Sequence, residues 1–400
     1  MEKVNLSNLI KTLESGSRPK GGVSDNGIPS LGGEHISKEN LYKFDKVKYI
    51  PEDYFNNLKK GMIEKEDILI VKDGATTGRV AFIDESFPFE KSAINEHLFK
   101  LSVDSEKILP KYLYYYLVSN KGNNEMMKDF RGATVGGITK KFIDFVNVPV
   151  PSSKGVQYKI LDILDKSQNL IYQRNAQIDA LDRLTQSAFL EIFGDPVQNS
   201  KNWVSVTLEE LGEWKSGGTP SRSNKEYFKG NIPWLSAGEL NDIYSYSSNE
   251  YITEEALKNS AAKIIPVGSL LLGMYDTAAL KSTINQVECS CNQAVAFAKL
   301  DESIVSTIFV YYCIQIGKEH YRRLQRGVRQ KNLNLTMIKN ISIICPPIEL
   351  QRKFSNTIDV ILEQRSHMEK GLIELENNFD SIMQRAFNGQ LFIDEKVSNL

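Results

Sequence analysis

Two stretches of this 400-residue chain carry apolar residues at alternating steps of four and three. The first series of positions is Ile160, Leu164, Ser167, Ile171, Arg174, Ile178, Leu181, Thr185, Ala188 and Ile192, seven of the ten apolar. Shifted by 194 residues it becomes Phe354, Ile358, Ile361, Arg365, Met368, Leu372, Leu375, Phe379, Ile382 and Ala386. Such a period, sustained for more than four heptads, predicts a long helix with a coiled-coil seam. Ile160, Leu164, Ile171, Ile178 and Leu181 form one seam, and Phe354, Ile358, Ile361, Met368, Leu372 and Leu375 the other. Two equal seams in one chain are natural partners. Run antiparallel, they relate two halves by a pseudo-two-fold axis and hold them about 50 Å apart, at about 1.5 Å per residue. The plainer alternative has each helix packing only on its own globular neighbour.

Outside the helices the apolar pattern is short and strand-like. Runs such as "DILIVKD", "SLLLGMY" and "NISIICP" lie between loops rich in Gly, Ser and Asn. These runs recur in order after about 200 residues. "VNLSNLIKTLESG" returns as "VTLEELGEWKSG", "GIPSLGGE" as "NIPWLSAGE", and "INEHLFKL" as "CNQAVAFAKL". "RGATVGGITKKFIDFVNVPVP" returns as "RGVRQKNLNLTMIKNISIICP". The chain reads as a duplication. An α+β fold follows, with two mixed α/β domains and two long helices forming the antiparallel coiled coil. The expected divisions are a first domain at 1–151, a central helix at 152–194, a second domain at 195–347, and a C-terminal helix and tail at 348–400. Proline-bearing "VPVPSSKGVQ" and "CPPIELQ" stop the last strand of each domain and let the helix begin.

Composition narrows the class. With 41% apolar and 25% charged residues the chain reads as a globular protein. No run approaches the roughly 20 apolar residues needed to span a bilayer, so no membrane role is expected. "MEKVNLSNLIKTLESG" has no apolar signal-peptide core, and a cytoplasmic protein is the expectation. Four cysteines without a CxxC or a neighbouring histidine argue against zinc and disulfides.

Charge adds a question. Lysine and arginine number 49 against 50 acidic residues. Yet Lys318, Arg322, Arg323, Arg326, Arg329 and Lys331 gather within one short segment, "KEHYRRLQRGVRQK". Its counterpart in the first copy carries Lys121, Lys128, Arg131, Lys140 and Lys141. Matched basic loops in a near-neutral chain suit a long polyanion, since Arg and Lys neutralise phosphates and Gly-rich loops admit backbone amides. Further DNA-binding candidates are Arg18 and Lys20, and Lys72, Thr76, Thr77 and Arg79 of "KDGATTGR". In the second copy they are Thr219, Ser221, Arg222 and Lys225. Arg bonds guanine and Asn or Gln bonds adenine, which singles out Arg329, Gln330, Asn332 and Asn334 as base readers. In the first copy either Thr134 or the basic pair Lys140 and Lys141 would take that part. Arg326 suits a phosphate contact.

No catalytic chemistry is legible. "KDGATTGR" lacks P-loop spacing, no GxGxxG opens a βαβ unit, and no methyltransferase motif occurs. His35, His97, His320 and His367 are read as scattered, with no nucleophile or carboxylate signature beside them.

The organisation resembles the DNA-specificity subunit of type I restriction–modification systems. The resemblance rests on "SGGTPSRSNKEYFKGNIPWLSAGEL", "CPPIELQRKF", "NNFDSIMQRAFNGQLF" and the domain–helix–domain–helix order. The first copy departs from it: "SGSRPKGG" lacks the Thr-Pro pairing and "VPVPSSKGVQYKI" lacks the Pro-Pro and Glu-Gln entry. The resemblance implies a non-catalytic subunit binding double-stranded DNA, each domain reading one half of a bipartite, asymmetric target. The helices would set the unread spacer and dock two modification (methyltransferase) subunits, with restriction (motor-nuclease) subunits joining them. No cofactor would bind this chain; S-adenosylmethionine, ATP and Mg2+ would sit on the partners. Competing readings are a stand-alone bivalent DNA-binding regulator and an enzyme with an unrecognised active site.

Overall fold

A run of four apolar residues, Ile68–Val71, makes a strand buried on both faces. Because side chains alternate across a strand, Ile68 and Ile70 enter one core and Leu69 and Val71 another. The same device recurs at Leu270–Gly273, where Leu270 and Leu272 face one core and Leu271 a second. Each strand is central to its sheet and is flanked by antiparallel neighbours.

A computed structural model of the chain describes residues 1–20, 22, 24–132, 136–327 and 331–392. Two units emerge: Met1–Asn175 with Lys370–Leu400, and Ala176–Glu369. The unit boundary falls within both long helices, Lys154–Phe193 and Ile348–Phe387.

In the first unit, the sheet order runs Ile10–Ser15, Leu98–Val103, Ile68–Val71, Val80–Phe82. A smaller sheet places Ile28–Leu31 between Lys48–Ile50 and a parallel strand, Ala93–Ile94. Glu2–Asn5 pairs with Asn147–Val150 and ties the start of the unit to its last strand. The second unit repeats this plan. Its main sheet contains Lys215–Ser216, Val295–Ala298, Leu270–Gly273 and Ser282–Asn285, extended by Tyr244–Ser245. Its smaller sheet is Tyr251–Ile252, Ile232–Leu235 and Ser290–Cys291, and Ser205–Thr207 pairs with Ser342–Ile344.

The long helices close the larger core of each unit. In the first, Ile160, Leu164 and Ile171 join Tyr112, Tyr116, Phe379, Met383 and Phe387, with Leu372 and Leu375 half-buried against them. In the second, Phe354 meets Phe189 and Phe193 from the other long helix; Phe189 stacks on Phe309 of the domain and Phe193 meets the same ring edge-on. Asp182 pairs with Arg365 at 3.1 Å, so within this unit the two helix segments run in opposite directions. Ile358 and Ile178 are buried, while Ile361, Met368 and Leu181 are half-buried. Phe354 therefore serves two neighbours at once, the facing helix and Tyr312 of the domain helix Thr307–Ile316.

Each helix is tied to its domain by a buried glutamine in its first turns. Gln157 Oε1 accepts the N–H of Leu109 at 2.9 Å, the residue before helix Pro110–Val118. Gln351, 194 residues later, accepts the N–H of Ser306 at 3.0 Å and donates to the Pro346 carbonyl at 2.7 Å. Among the described residues no helix is long and apolar enough to cross a membrane. The cysteines are unpaired; burial raises the thiol pKa of Cys289 to about 12 and pushes that of Cys313 well above its ordinary value.

Candidate nucleic-acid interface

The two Arg-Gly segments are the natural starting point. Arg131 and Gly137 exchange two backbone hydrogen bonds of 2.9 Å and close a narrow loop. Arg326 and Asn332 do the same, at 3.0 and 2.9 Å. Gly132 and Gly327 have φ of +112° and +132°, a region that a side chain makes costly, which explains the recurring Arg-Gly pair. Each loop is docked by its backbone on the loop after the central strand. Ile138 donates to Lys72 O at 2.7 Å and Gly74 to Gly136 O at 3.1 Å. In the second unit Leu333 donates to Met274 O at 2.7 Å and Asp276 to Lys331 O at 3.1 Å. The two sites are thus built to one pattern. Thr134, Arg329 and Gln330 lie outside the described residues.

In the first unit, the structure joins several of the expected side chains into a chain of polar and ionic contacts. Arg18 pairs with Glu96 at 3.0 Å, and Glu96 lies 3.5 Å from His97 Nε2. His97 Nδ1 meets Asp73 at 2.5 Å, and Asp73 is 3.9 Å from Lys72. The reading of His97 as free of carboxylates is therefore corrected: two carboxylates hold it, one supplied by its neighbour Glu96 and one by the loop at Asp73. His35 is buried, its Nδ1 accepting the Gly32 N–H at 2.8 Å. Thr77 donates to Gly74 O at 2.7 Å, within the docking loop, and Thr76 lies on the same loop, facing Gly33. Arg79 donates to Ile36 O at 3.1 Å. Lys140 reaches the Leu13 carbonyl at 2.8 Å, whereas Lys141 and Lys20 are exposed.

Asp129 anchors the loop from beneath and was not singled out in the sequence. Its fully buried carboxylate accepts the N–H and hydroxyl of Thr139, both at 2.7 Å, and pairs with Arg131 at 3.2 Å. Burial would raise its pKa, but the Thr139 bonds and then Arg131 hold it below the ordinary 3.8. Its signal in the sequence is slight: an acid two residues before Arg131.

In the second unit Arg326 and Lys331 present exposed side chains beside the loop. Asn332 and Asn334 are placed differently from free base readers. Asn332 Oδ1 accepts the Asp276 N–H at 3.0 Å, and Asn334 caps helix Leu335–Lys339 by accepting from Met337 N at 2.8 Å. Thr139 caps the equivalent turn, Lys140–Asp144. Arg322 pairs with Glu319 at 3.4 Å. Thr219 bonds Gln293, at positions matching Arg18 and Glu96, so a charged pair in one unit is neutral in the other. Arg222 is not joined to the Arg326 loop by any described contact. Its guanidinium grips both oxygens of Glu250 and lies over the Phe228 ring at 4.3 Å. Ser221 pairs with Ser223 at 2.8 Å, and Lys225 opens a short turn, Lys225–Phe228.

No group of three or more His, Cys, Asp or Glu side chains suited to a metal ion occurs among the described residues. The site is built for polar and ionic contact, on loops held by two duplicated scaffolds. That defines a two-domain binding protein. The sequence profile of the "Type I restriction modification DNA specificity domain" matches residues 5–180 and 200–377, and the chain belongs to that family. It is a non-catalytic, DNA target-recognition subunit.

Relatives agree. The chain is 26% identical over 306 residues to the type I restriction enzyme EcoR124I/EcoR124II specificity subunit of Escherichia coli, covering 74% of this chain and 72% of that one. It is 22% identical over 315 residues to the MjaIX specificity subunit of Methanocaldococcus jannaschii, with 74% and 72% covered. Among solved structures, one from a study of assembly and conformational transition of the type I R-M system superposes with a TM-score of 0.62. It is 15% identical and covers 98% of both chains. The S subunit from M. genitalium gives a TM-score of 0.54 at 15% identity, over 96% of each chain. At these identities the structures speak for the fold.

Proposed function

We propose that the two units read the two halves of a split, asymmetric DNA target. The observation that carries this is the pair of Arg-Gly loops, anchored by matching backbone bonds but lined by different side chains. A shared scaffold with unlike reading loops favours unlike half-sites. Residues Arg131, Lys141, Arg326 and Lys331, with Arg18, Lys20 and Lys72 beside the first loop, face the DNA in this reading.

The two 40-residue helices form an antiparallel coiled coil that sets the unread spacer, and they dock two modification subunits. Opposed helix directions in the second unit support the pairing. Exposed Tyr158, Leu170, Tyr172 and Ile373 in one unit, and Leu184 and Val360 in the other, support docking on the flanks. Cofactor chemistry, with S-adenosylmethionine, ATP and Mg2+, then belongs to those subunits and to the motor-nuclease subunits that join them.

The test is co-expression with the neighbouring genes, followed by mapping of adenine methylation at base resolution. A split, asymmetric motif that disappears when this chain is deleted is the expected result. One short contiguous motif, or methylation indifferent to the deletion, sinks the reading; the latter would favour a free-standing regulator.

A further inference from the structure

We infer that a cationic cluster beside the reading loop, recurring in both units, grips a phosphate of the DNA backbone. Lys38 and Arg79 form it in the first unit, and Lys281, Lys318 and Arg322 in the second. The inference rests on the DNA-recognition reading above and assigns phosphate-gripping residues that reading leaves open.

In the first unit a cleft of about 250 Å³ is lined by Lys38, Asn40, Thr77, Arg79, Asn120 and Asn124, among others, with no carboxylate in its wall. Arg79 is fixed by one bond from its guanidinium to Ile36 O, at 3.1 Å, and an arginine has further N–H groups to offer. Asn123 donates to Gly78 O at 2.8 Å and fastens this wall to the loop that carries the reading loop. Glu39, outside the wall, has its carboxyl held low first by Ser37 and in part by Lys38 and Arg79, so both cations act in one neighbourhood.

The duplication allows an independent check. Arg79 directly precedes strand Val80–Phe82, and Lys281 directly precedes its counterpart, Ser282–Asn285. Asn120 opens helix Asn120–Met126, and Lys318 opens the matching Lys318–Arg322, so Asn124 corresponds to Arg322. The second unit therefore places three cations where the first has one cation and two amides. Lys281 is held by Gly238 O at 3.2 Å and Asn241 Oδ1 at 2.8 Å. Arg322 Nε is buried without a partner, and its one ion pair is to Glu319, whose side chain is 84% exposed. Lys318 is pushed below its ordinary pKa by burial first, then by Arg322 and Lys281. Like charges gathered in this way are unfavourable until an anion arrives.

The ligand class follows from what the two clusters share. Cations outnumber the one exposed carboxylate beside them, Glu319 in the second unit, and such a set does not suit a metal ion. The neighbouring reading loops differ between the units, whereas the positive charge recurs. A grip kept while the reading side chains change suits the one feature common to every DNA sequence, its phosphates.

The experiment uses the complex assembled with its modification subunits. Binding to a duplex carrying the methylated motif, and to a scrambled duplex, is measured across a salt series. Lys318→Gln with Arg322→Gln, and separately the exposed Lys38→Gln, should weaken binding to both duplexes by the same factor. The salt slope should fall by about 0.9 for each phosphate no longer neutralised. Lys318→Arg should retain the slope. Lys38→Gln covers the case in which the double variant fails to fold. An unchanged slope in Lys38→Gln and in the folded double variant, or weakening confined to the motif duplex, overturns the inference while the wild-type complex still selects its motif. A wild-type complex that cannot tell the two duplexes apart overturns the DNA-recognition reading instead.

Discussion

Asp129 shows how a single carboxylate can organise a loop. It is fully buried, yet three donors satisfy it: the Thr139 N–H, the Thr139 hydroxyl and the Arg131 guanidinium. Its folded pKa lies below the ordinary 3.8, so the stability it confers is present above that value. That stability is lost as pH falls through the folded pKa, when the carboxylate takes a proton. Asp129→Asn should reproduce the acid form at neutral pH. Its amide nitrogen would be turned on donors, and a cost of about 1–3 kcal/mol is expected. Chemical denaturation at pH 7 measures it, and the deficit should shrink as the wild type is acidified below pH 4. Equal stability of the two proteins at pH 7 would show that the donors find other partners. Arg222 makes the opposite point. Its place in a basic, polar loop suggests DNA, but its fork is taken by Glu250 and its face by Phe228.

Among the elements, the long helices were the most legible. Their apolar spacing runs over 160–192 and 354–386 of two forty-residue helices, in the same register 194 residues apart. The short strands were legible as apolar runs, but which core each face of Ile68–Val71 enters was not, since an unbroken apolar run does not mark its partners. The site was legible in outline only. Arg-Gly marked both loops because a positive φ recurs there, whereas the carboxylates that organise them sit at distances no local pattern records. Asp73, for example, meets His97 24 positions away. The glutamine ties were equally hidden, though their chemistry is testable. Gln351→Leu strands the Ser306 N–H and the Pro346 carbonyl in a buried site, at about 1–3 kcal/mol for each group left unpaired. Gln157→Leu strands the Leu109 N–H at the matching tie and should cost less. Thermal or urea unfolding would rank them, and the reverse order would mean that Gln351 is not holding its helix.

For the whole molecule, duplication means that each unit carries its own cores and its own docked loop. Backbone bonds fix the loop bases, so side chains can be exchanged without disturbing the scaffold beneath. Replacing residues 326–334 by the corresponding first-unit segment, 131–139, keeps the Arg-Gly turn and substitutes Thr139 for Asn334 as the helix cap. The chimera should fold, and methylation should change in one half of the motif only. The half read by the first unit should stay as it is, because none of its residues has been touched. Each base pair that is no longer read should relax by about 1–3 kcal/mol, or roughly ten- to a hundred-fold in selectivity. Methylation mapping on the same genomic DNA reads both halves at once. Loss of both halves would mean that the two units do not read independently, and that the duplicated scaffold acts as one site.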